Sequence, residues 1–119
     1  MRVVVPTSDL PPLTGPRGII PGRQLLEGTR FGLQHLTLIF GETAPGQGIA
    51  LHSHDYEEAI IVHSGIGTYT VGADTLDVGP GSVVVIPSRV PHRFVNNTTE
   101  PLRHTAVHSS GTFELDYQD

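Results

Sequence analysis

Apolar and polar positions alternate along most of this chain, in short runs that end at Gly, Pro, Asn or Asp. An alternation of period two is typical of β-strands with one buried face. The first run places Leu36, Leu38 and Phe40 on one face of a predicted strand. Further strands are predicted over residues 49–54, 58–64, 68–71, 75–78, 83–86, 92–96, 102–109 and 112–117. Many short strands without a convincing helix predict an all-β fold, an antiparallel sandwich or barrel.

Residues 49–64 and 83–86 depart from simple alternation. Residues 49–64 contain no Gly or Pro and are long enough for a helix, but residues 60–62 are β-branched. We therefore predict two strands joined at residues 55–56. In the second strand, Glu58, Ile60 and Val62 share one face. Residues 83–86 are apolar at every position, which predicts a strand buried on both faces.

The N-terminal segment has a different composition. Residues 1–32 contain five of the ten prolines and five glycines, which fix backbone angles and remove amide donors. We interpret this segment as an arm that precedes a barrel domain at residues 33–119. Its short apolar pieces, Val3–Val5, 19–20 and 25–26, are candidates for edge strands or for contacts across a neighbouring subunit. A wholly disordered arm is the alternative.

Composition excludes several classes of function. The net charge is −5, and the 7 basic residues, all Arg, are scattered singly, which argues against a nucleic-acid or membrane partner. With no Cys and no Lys, the chain has no thiol nucleophile, thiolate metal site, disulfide or Schiff-base lysine. No apolar segment approaches the ~20 residues that span a bilayer, and the N-terminal apolar stretch is too short for a signal peptide. The expected compartment is the cytoplasm.

Histidines and a carboxylate form the pattern with the most chemical content. His52 and His54 are two residues apart, so on an extended strand both point to one face, and Glu58 has the same parity. Two imidazoles and one carboxylate suit Fe(II), Mn, Ni, Co, Zn or Cu. A second stretch supplies His92 behind an apolar strand and a proline turn. The alternative for an isolated His-x-His is a surface or satisfied histidine pair.

In these two stretches the chain resembles the cupin superfamily. The first motif of that superfamily, G-x5-H-x-H-x3-E-x6-G, is matched in full, and the second, G-x5-P-x-G-x2-H-x3-N, is matched except that Arg89 stands where the pattern has glycine. The matching positions are Gly46, His52, His54, Glu58, Gly65, Gly81, Pro87, His92 and Asn96.

The resemblance implies a small jelly-roll barrel of two antiparallel sheets. Proteins that it resembles include dioxygenases, isomerases, decarboxylases, cyclases and lyases, so the resemblance does not fix the reaction. It implies His52, His54, Glu58 and His92 as ligands of one divalent metal ion per chain, with Fe, Mn, Ni, Zn, Co and Cu all open. Four protein ligands leave two positions of an octahedron free. A homodimer is also expected from the resemblance, with the proline-rich arm as one means of contact.

Other residues are candidates near such a site. Arg89 indicates a turn that does not need the conformational freedom of glycine, and its guanidinium is a candidate for holding a carboxylate substrate; an exposed arginine is the alternative. His104 and His108 share a strand face and are candidates for an acid or base, or else surface or interface histidines. Tyr56 is a candidate gate, or a core or rim aromatic. Glu57 is expected to be solvated.

The resulting hypothesis is a metal-binding cupin, most simply a metalloenzyme that acts on a small polar molecule. Oxidation by dioxygen is favoured, because an open site accepts both a substrate and oxygen. A metal-dependent isomerase, lyase or cyclase is the first alternative, and a non-catalytic barrel that binds a small molecule is the second. A storage-like barrel is disfavoured, because it would need no metal ligands.

Overall fold

The alternating segments form eleven strands in the computed structural model, which describes residues 3–118. The strands are β1 (Pro12–Gly15), β2 (Gly18–Leu26), β3 (Thr37–Thr43), β4 (Gly48–Ser53), β5 (Glu58–Ser64), β6 (Gly67–Val71), β7 (Asp74–Val78), β8 (Val83–Ile86), β9 (His92–Val95), β10 (Leu102–His108) and β11 (Asp116–Tyr117). Two short 3-10 helices, Thr7–Asp9 and Gly28–Phe31, are the helical segments of this part of the chain. No helix formed by residues 3–118 has the length and hydrophobicity needed to cross a bilayer.

The strands form two antiparallel sheets. One has six strands in the order β1-β2-β3-β10-β5-β8, and the other has five in the order β11-β4-β9-β6-β7. The all-β prediction and the double-sheet barrel are therefore confirmed. The predicted strand at residues 112–117 is shorter than expected, since only Asp116–Tyr117 pairs, with β4.

Apolar side chains from both sheets pack between them. The two strands predicted within residues 49–64 are present as β4 and β5, and Glu58, Ile60 and Val62 share the buried face as expected. The core consists of Leu13, Ile20, Ile39, Ile60, Val62, Tyr69, Val84, Ile86, Phe94, Leu102 and Ala106. Glu58 is thus a carboxylate on an otherwise apolar face.

Two expectations about buried faces are wrong. In β3 the buried side chains are Thr37, Ile39 and Thr43, whereas Leu38 and Phe40 are only partly buried. The apolar run of β3 continues on both faces, and contact with the facing sheet selects the odd positions. In β8, which lies at the edge of the six-stranded sheet, only alternate residues are buried. Val83 and Val85 are 55% and 68% exposed, so β8 is covered on one face and not on two.

The N-terminal segment pairs with the barrel. β1 and β2 form a hairpin, and β2 pairs with β3, so the edge-strand interpretation describes this segment better than a disordered arm. Leu13 and Ile20 are buried in the common core. The division into an arm at residues 1–32 and a domain at 33–119 stays a prediction, and its outer ends, residues 1, 2 and 119, lie outside the described residues.

Candidate metal centre

Both sheets contribute to one cluster of buried histidine and carboxylate side chains. His52 on β4 and His92 on β9 are paired across the five-stranded sheet, and His54 directly follows β4. Glu58 begins β5 in the facing sheet. All four side chains are buried. The fold therefore brings together the four residues that the sequence indicated as ligands.

Three imidazole rings of the cluster are held in the same way, by a hydrogen bond from Nδ1 to a backbone carbonyl oxygen two residues away. The pairs are His52 with Ala50 (2.8 Å), His54 with Tyr56 (2.9 Å) and His92 with Val90 (2.8 Å). A carbonyl oxygen only accepts, so Nδ1 carries the proton and Nε2 of each neutral ring has a free lone pair. This is the tautomer that a metal ion bound at Nε2 requires.

The carboxylate of Glu58 lies at the centre of the cluster. Its Oε1 is 2.8 Å from His54 Nε2, 3.2 Å from His92 Nε2 and 3.3 Å from His108 Nε2. Neighbouring ligand atoms of an octahedral ion with bonds of ~2.1 Å are about 3.0 Å apart. Although His92 Nε2 is close to this oxygen, it is buried without a hydrogen-bond partner among the described residues.

The donor atoms form two overlapping groups. Those of His52, His54 and His92 lie within 4.8 Å of one another, and so do those of His54, Glu58 and His108. Imidazole nitrogen together with carboxylate oxygen is a donor set that divalent transition metals accept. Each of the two groups therefore has donor atoms that could hold one such ion.

The electrostatics of the cluster also favour a positive charge among its donor atoms. Burial lowers the pKa of His52 to about 4, and the neighbouring His92 lowers it further than burial alone would. Burial by itself would raise the pKa of Glu58, but the ring nitrogens of His108, His54 and His92 close to its carboxylate outweigh burial and hold the pKa of that carboxyl well below its usual range. An ionised carboxylate that faces nitrogen lone pairs is stable only with a positive charge between them, either a proton or a metal ion.

His108 and Tyr56 are coupled beside the cluster. His108 Nδ1 lies 2.8 Å from the Tyr56 hydroxyl, which accepts the Glu114 N–H at 3.1 Å and lies 3.3 Å from the Glu114 carbonyl oxygen. The Tyr56 ring stacks on His54 with the ring centroids 4.1 Å apart. Burial raises the pKa of Tyr56, which keeps the hydroxyl protonated. Sequence reasoning made His108 a candidate acid or base; the structure adds that its Nε2 faces Glu58 at ligand distance.

An apolar cavity opens from the cluster into the space between the sheets. Its polar lining comprises His52, Glu58 and His92 from the cluster, together with His108, His104 and Arg23. The remaining walls are Leu13, Ile39, Ile49, Ile60, Phe94, Ala106, Phe113 and Leu115. The volume open to the centres of water molecules is about 40 Å³. At ~10–15 Å³ for each water by this measure, the cavity accommodates a few waters or a small organic molecule.

Arg89 and Glu57 lie outside the cavity. The Arg89 guanidinium is exposed and lies 3.8 Å from the carboxylate of Asp55. The interpretation that its turn does not need the conformational freedom of glycine is wrong, because Arg89 has a φ of 66°, in the left-handed region. A side chain is strained there, since Cβ crowds the following carbonyl oxygen. Glu57 is exposed, as expected.

Sequence reasoning did not find Arg23, which is 5% exposed and lines the cavity. Counting in twos from the buried Ile20 places Arg23 on the outer face of β2. The register between β1 and β2 shifts here, with Pro12 opposite Gln24 and Thr14 opposite Ile19. Gly22, with a φ of 78°, lies within the shift. A glycine next to a lone arginine in an apolar strand was the available signal.

Comparison with known protein families agrees with the architecture and the cluster. Residues 40–108, more than half of the chain, match the family model for the cupin domain. The chain belongs to the cupin family. The match spans the three histidines and the glutamate of the cluster, and also His104 and His108.

One curated relative of this cupin is an uncharacterised protein from Streptomyces coelicolor, 41% identical over 56 residues. The match covers 47% of this chain and 52% of the relative, so it spans about half of the length of each protein.

Solved cupin structures share the fold. A polyketide cyclase from Streptomyces resistomycificus is 22% identical with a TM-score of 0.78, covering 100% of this chain and 87% of that one. An oxalate decarboxylase from Bacillus subtilis is 20% identical with a TM-score of 0.80, covering 94% of this chain but 31% of that one. A cupin from Rhodopseudomonas palustris is 26% identical with a TM-score of 0.69, covering 82% and 66%.

Proposed function

We propose that this cupin binds one divalent metal ion through His52, His54, Glu58 and His92 and is a metalloenzyme that acts on a small polar molecule. One observation carries the proposal. The three imidazoles donate their Nδ1 protons to the backbone, so their Nε2 lone pairs and an ionised carboxylate oxygen converge in a buried space. Without a cation, such a group of acceptors would be strongly destabilised by burial.

The protein side of the chemistry follows from the same geometry. A bound divalent ion would supply Lewis acidity and, for a redox-active metal, a path for electrons. The carbonyl oxygens of Ala50 and Val90 fix two of the rings, so little reorganisation accompanies ligand binding. The apolar walls exclude bulk water and strengthen every polar contact made inside the cavity.

Dioxygenase-type oxidation is the favoured reaction class. Four protein donors leave two positions of an octahedral ion free, enough room for a substrate and for dioxygen. The apolar walls support this assignment, because they suit a small organic molecule better than a highly charged one.

Metal-dependent isomerisation, elimination or cyclisation is the second candidate. It is favoured by the hydrogen bond between His108 and Tyr56, because a histidine that faces Glu58 with one nitrogen and a neutral phenol with the other is suited to moving a proton. The fold likeness to a polyketide cyclase is compatible with this candidate but does not favour it, at 22% identity. Binding of a small molecule without turnover is the third candidate.

Measuring the metal content of the wild-type protein and of ligand variants tests the proposed metal site. Protein purified from its own source, or reloaded separately with Fe(II), Mn, Ni, Co, Zn or Cu, should hold about one ion per chain. Glu58→Ala and His92→Ala should each lose most of it, since each removes one of four ligands. Glu57→Gln, which changes the adjacent exposed carboxylate, is the matched control. A double variant, Glu58→Ala with His92→Ala, that keeps its full metal complement would refute the assignment.

A substrate screen then separates the reaction classes. Small acids, sugars and phenols are supplied to the metal-loaded protein in air and under argon. Turnover that needs air and consumes oxygen supports the dioxygenase-type reaction, whereas turnover that persists under argon supports the second candidate. Retention of a compound without any turnover supports the third. The expected homodimer is measured separately by light scattering after size-exclusion chromatography.

A further inference from the structure

Arg23 is a buried cation without an acidic partner among residues 3–118. Its side chain is 5% exposed, and no carboxylate of the described chain forms an ion pair with it. Two of its nitrogens donate within the protein, Nη1 to the Pro21 carbonyl at 3.1 Å and Nη2 to Thr43 Oγ1 at 2.5 Å. A guanidinium has five N–H donors in a planar fork. Donors therefore remain for a ligand.

Two glycines place this arginine inside the barrel. At Gly22 a Cβ would collide with the carbonyl oxygen of Glu42, so the backbone can take the positive φ that turns Arg23 inward only with glycine. At Gly41, directly opposite Arg23 on β3, a Cβ would lie 2.7 Å from Arg23 Cγ. The stem of the arginine thus crosses the strand over a position without a side chain. Beyond it, the guanidinium carbon lies 4.8 Å from the centre of the Phe94 ring.

The position of Arg23 relative to the metal centre follows from strand register. One row across the six-stranded sheet contains Arg23, Gly41, His104 and Val62, and a second row contains Thr37, His108 and Glu58. The rows are four residues apart along β10, which is roughly 13 Å at ~3.3 Å for each residue. The row between them, Leu25, Ile39, Ala106 and Ile60, is apolar. The cavity therefore has a cation at one end, the histidine and carboxylate cluster at the other, and an apolar middle.

Burying an unpaired guanidinium is costly, and its effects are visible in the surroundings. Burial lowers the pKa of Arg23 to about 10, so the group remains charged at neutral pH. Burial first, and then the charge of Arg23, lower the pKa of His104 to about 4. An apolar side chain of similar length would fill the same space without the cost of burying a charge. An anion in the cavity would compensate the charge.

We propose that Arg23 binds the carboxylate of a small monoanionic organic acid, which lies in the cavity with its other end toward His52, Glu58 and His92. The inference rests on the proposed metal site for the role of that other end, but not for binding at Arg23 itself. A carboxylate matches the planar fork of arginine. A single positive charge in an apolar cavity compensates one negative charge, which disfavours phosphate dianions. The small volume and the apolar middle limit the acid to a few carbon atoms.

Binding is tested first on the wild-type chain treated with a chelator, so that no metal contributes. Thermal unfolding is followed by circular dichroism at pH 7.5 with 50 mM sodium acetate or sodium propionate, and with acetamide or sodium chloride at matched ionic strength. The two carboxylates should raise the melting temperature by ~2–5 °C over both controls, as expected for a ligand with a dissociation constant of several millimolar. Equal melting temperatures in all four solutions would overturn the proposal.

Variants then locate the effect. Arg23→Met should abolish the carboxylate-induced shift while leaving the melting temperature in chloride unchanged or higher, because a buried unpaired charge has been removed. Arg23→Lys keeps the charge without the fork and should retain only part of the shift. Arg93→Gln removes an equal charge from the exposed face of β9 and should keep the full shift. A full shift in Arg23→Met would place the carboxylate elsewhere and overturn the proposal.

The remaining outcomes are also decisive. If Arg23→Met does not fold, Arg23→Lys decides by the same readout, with an undiminished shift counting against the proposal. A shift seen only after metal loading, and preserved in Arg23→Lys, would assign acetate to the metal and not to Arg23. Conversely, a carboxylate shift that depends on Arg23 in a protein that never retains metal would sustain this inference while the proposed function fails.

Discussion

Replacing His104 by glutamine tests whether the polar end of the cavity is as strongly desolvated as its geometry indicates. His104 is 3% exposed, and its Nδ1 lies 2.7 Å from the Tyr69 hydroxyl. Glutamine keeps a side chain able to form a hydrogen bond with that hydroxyl but does not titrate. The exposed His63 on β5, which contacts Thr105 Oγ1, offers a matched control as His63→Gln.

The size of the expected change in unfolding free energy follows from the pKa of the His104 imidazole. Burial first, and then the charge of Arg23, lower the pKa of His104 from 6.5 to about 4, which corresponds to about 3 kcal/mol at most. Because the folded-state pKa is below the unfolded-state value, the contribution to stability is fully present above pH 6.5 and is lost as the pH falls toward 4. At pH 5 the unfolded chain binds a proton here and the folded chain does not. Between pH 7.5 and pH 5 the loss is about 2 kcal/mol.

The assay is urea denaturation followed by circular dichroism at pH 7.5, 6.0 and 5.0, in chelator-treated protein so that metal release does not contribute. The fall in unfolding free energy between pH 7.5 and pH 5 should be about 2 kcal/mol smaller in His104→Gln than in wild type. His52, whose pKa is also lowered to about 4 mainly by burial, is intact in both proteins, so its contribution cancels. An equal fall in wild type and His104→Gln, or a smaller fall in His63→Gln, would refute the reasoning.

Three further substitutions probe the turn, the core and the ring beside the cluster. Arg89→Gly should raise the unfolding free energy by about 0.5–1 kcal/mol, because it relieves a left-handed conformation at φ 66° and forfeits only an exposed contact with Asp55; a loss of stability in urea denaturation would contradict this. Leu102→Ala, at a residue that is 0% exposed, should cost about 2–5 kcal/mol in the same assay, against less than about 1 kcal/mol for Ile61→Ala at a half-exposed position; similar costs would show that burial is not the determinant. Tyr56→Phe keeps the ring stacked on His54 and removes the hydroxyl that contacts His108, so it should cost about 1 kcal/mol while the metal content stays unchanged. Loss of metal from Tyr56→Phe would show that the hydroxyl helps to hold the site.

Much of the fold was predictable because the relevant information is local. Strand limits follow from Gly, Pro and Asn, and the hairpin of β6 and β7 surrounds a turn that the sequence marks at Gly72. The buried face of β3 and the exposure of β8 were not predictable in this way. Both strands carry apolar residues on both faces, so only the position of the strand in its sheet decides which side is covered.

The residues of the candidate site were likewise predictable where the information is local and not where it depends on strand pairing. His52 and His54 were found because they are two residues apart at the end of one strand, and Glu58 and His92 were found because their spacing resembles a known motif. That His108 also faces the Glu58 carboxylate depends on the register between β10 and β5, which no single stretch of sequence contains. The prediction that the turn at Arg89 does not need the conformational freedom of glycine was wrong. A side chain at this position shows that the strain of a positive φ is tolerated, not that it is absent.

Register shifts explain why parity succeeded for the histidines and failed for Arg23. On β4 the ladder with β9 shifts between Ile49 and His52, and both side chains line the cavity although they are three residues apart. On β2 a shift lies between Ile19 and Gln24, a stretch that contains Ile20 and Arg23, which are also three residues apart and both buried. Each bulge reverses the face that later residues present. His52 and His54 both lie after the bulge of β4, so counting from His52 to His54 remains valid. Counting from Ile20 to Arg23, in contrast, crosses the register shift of β2.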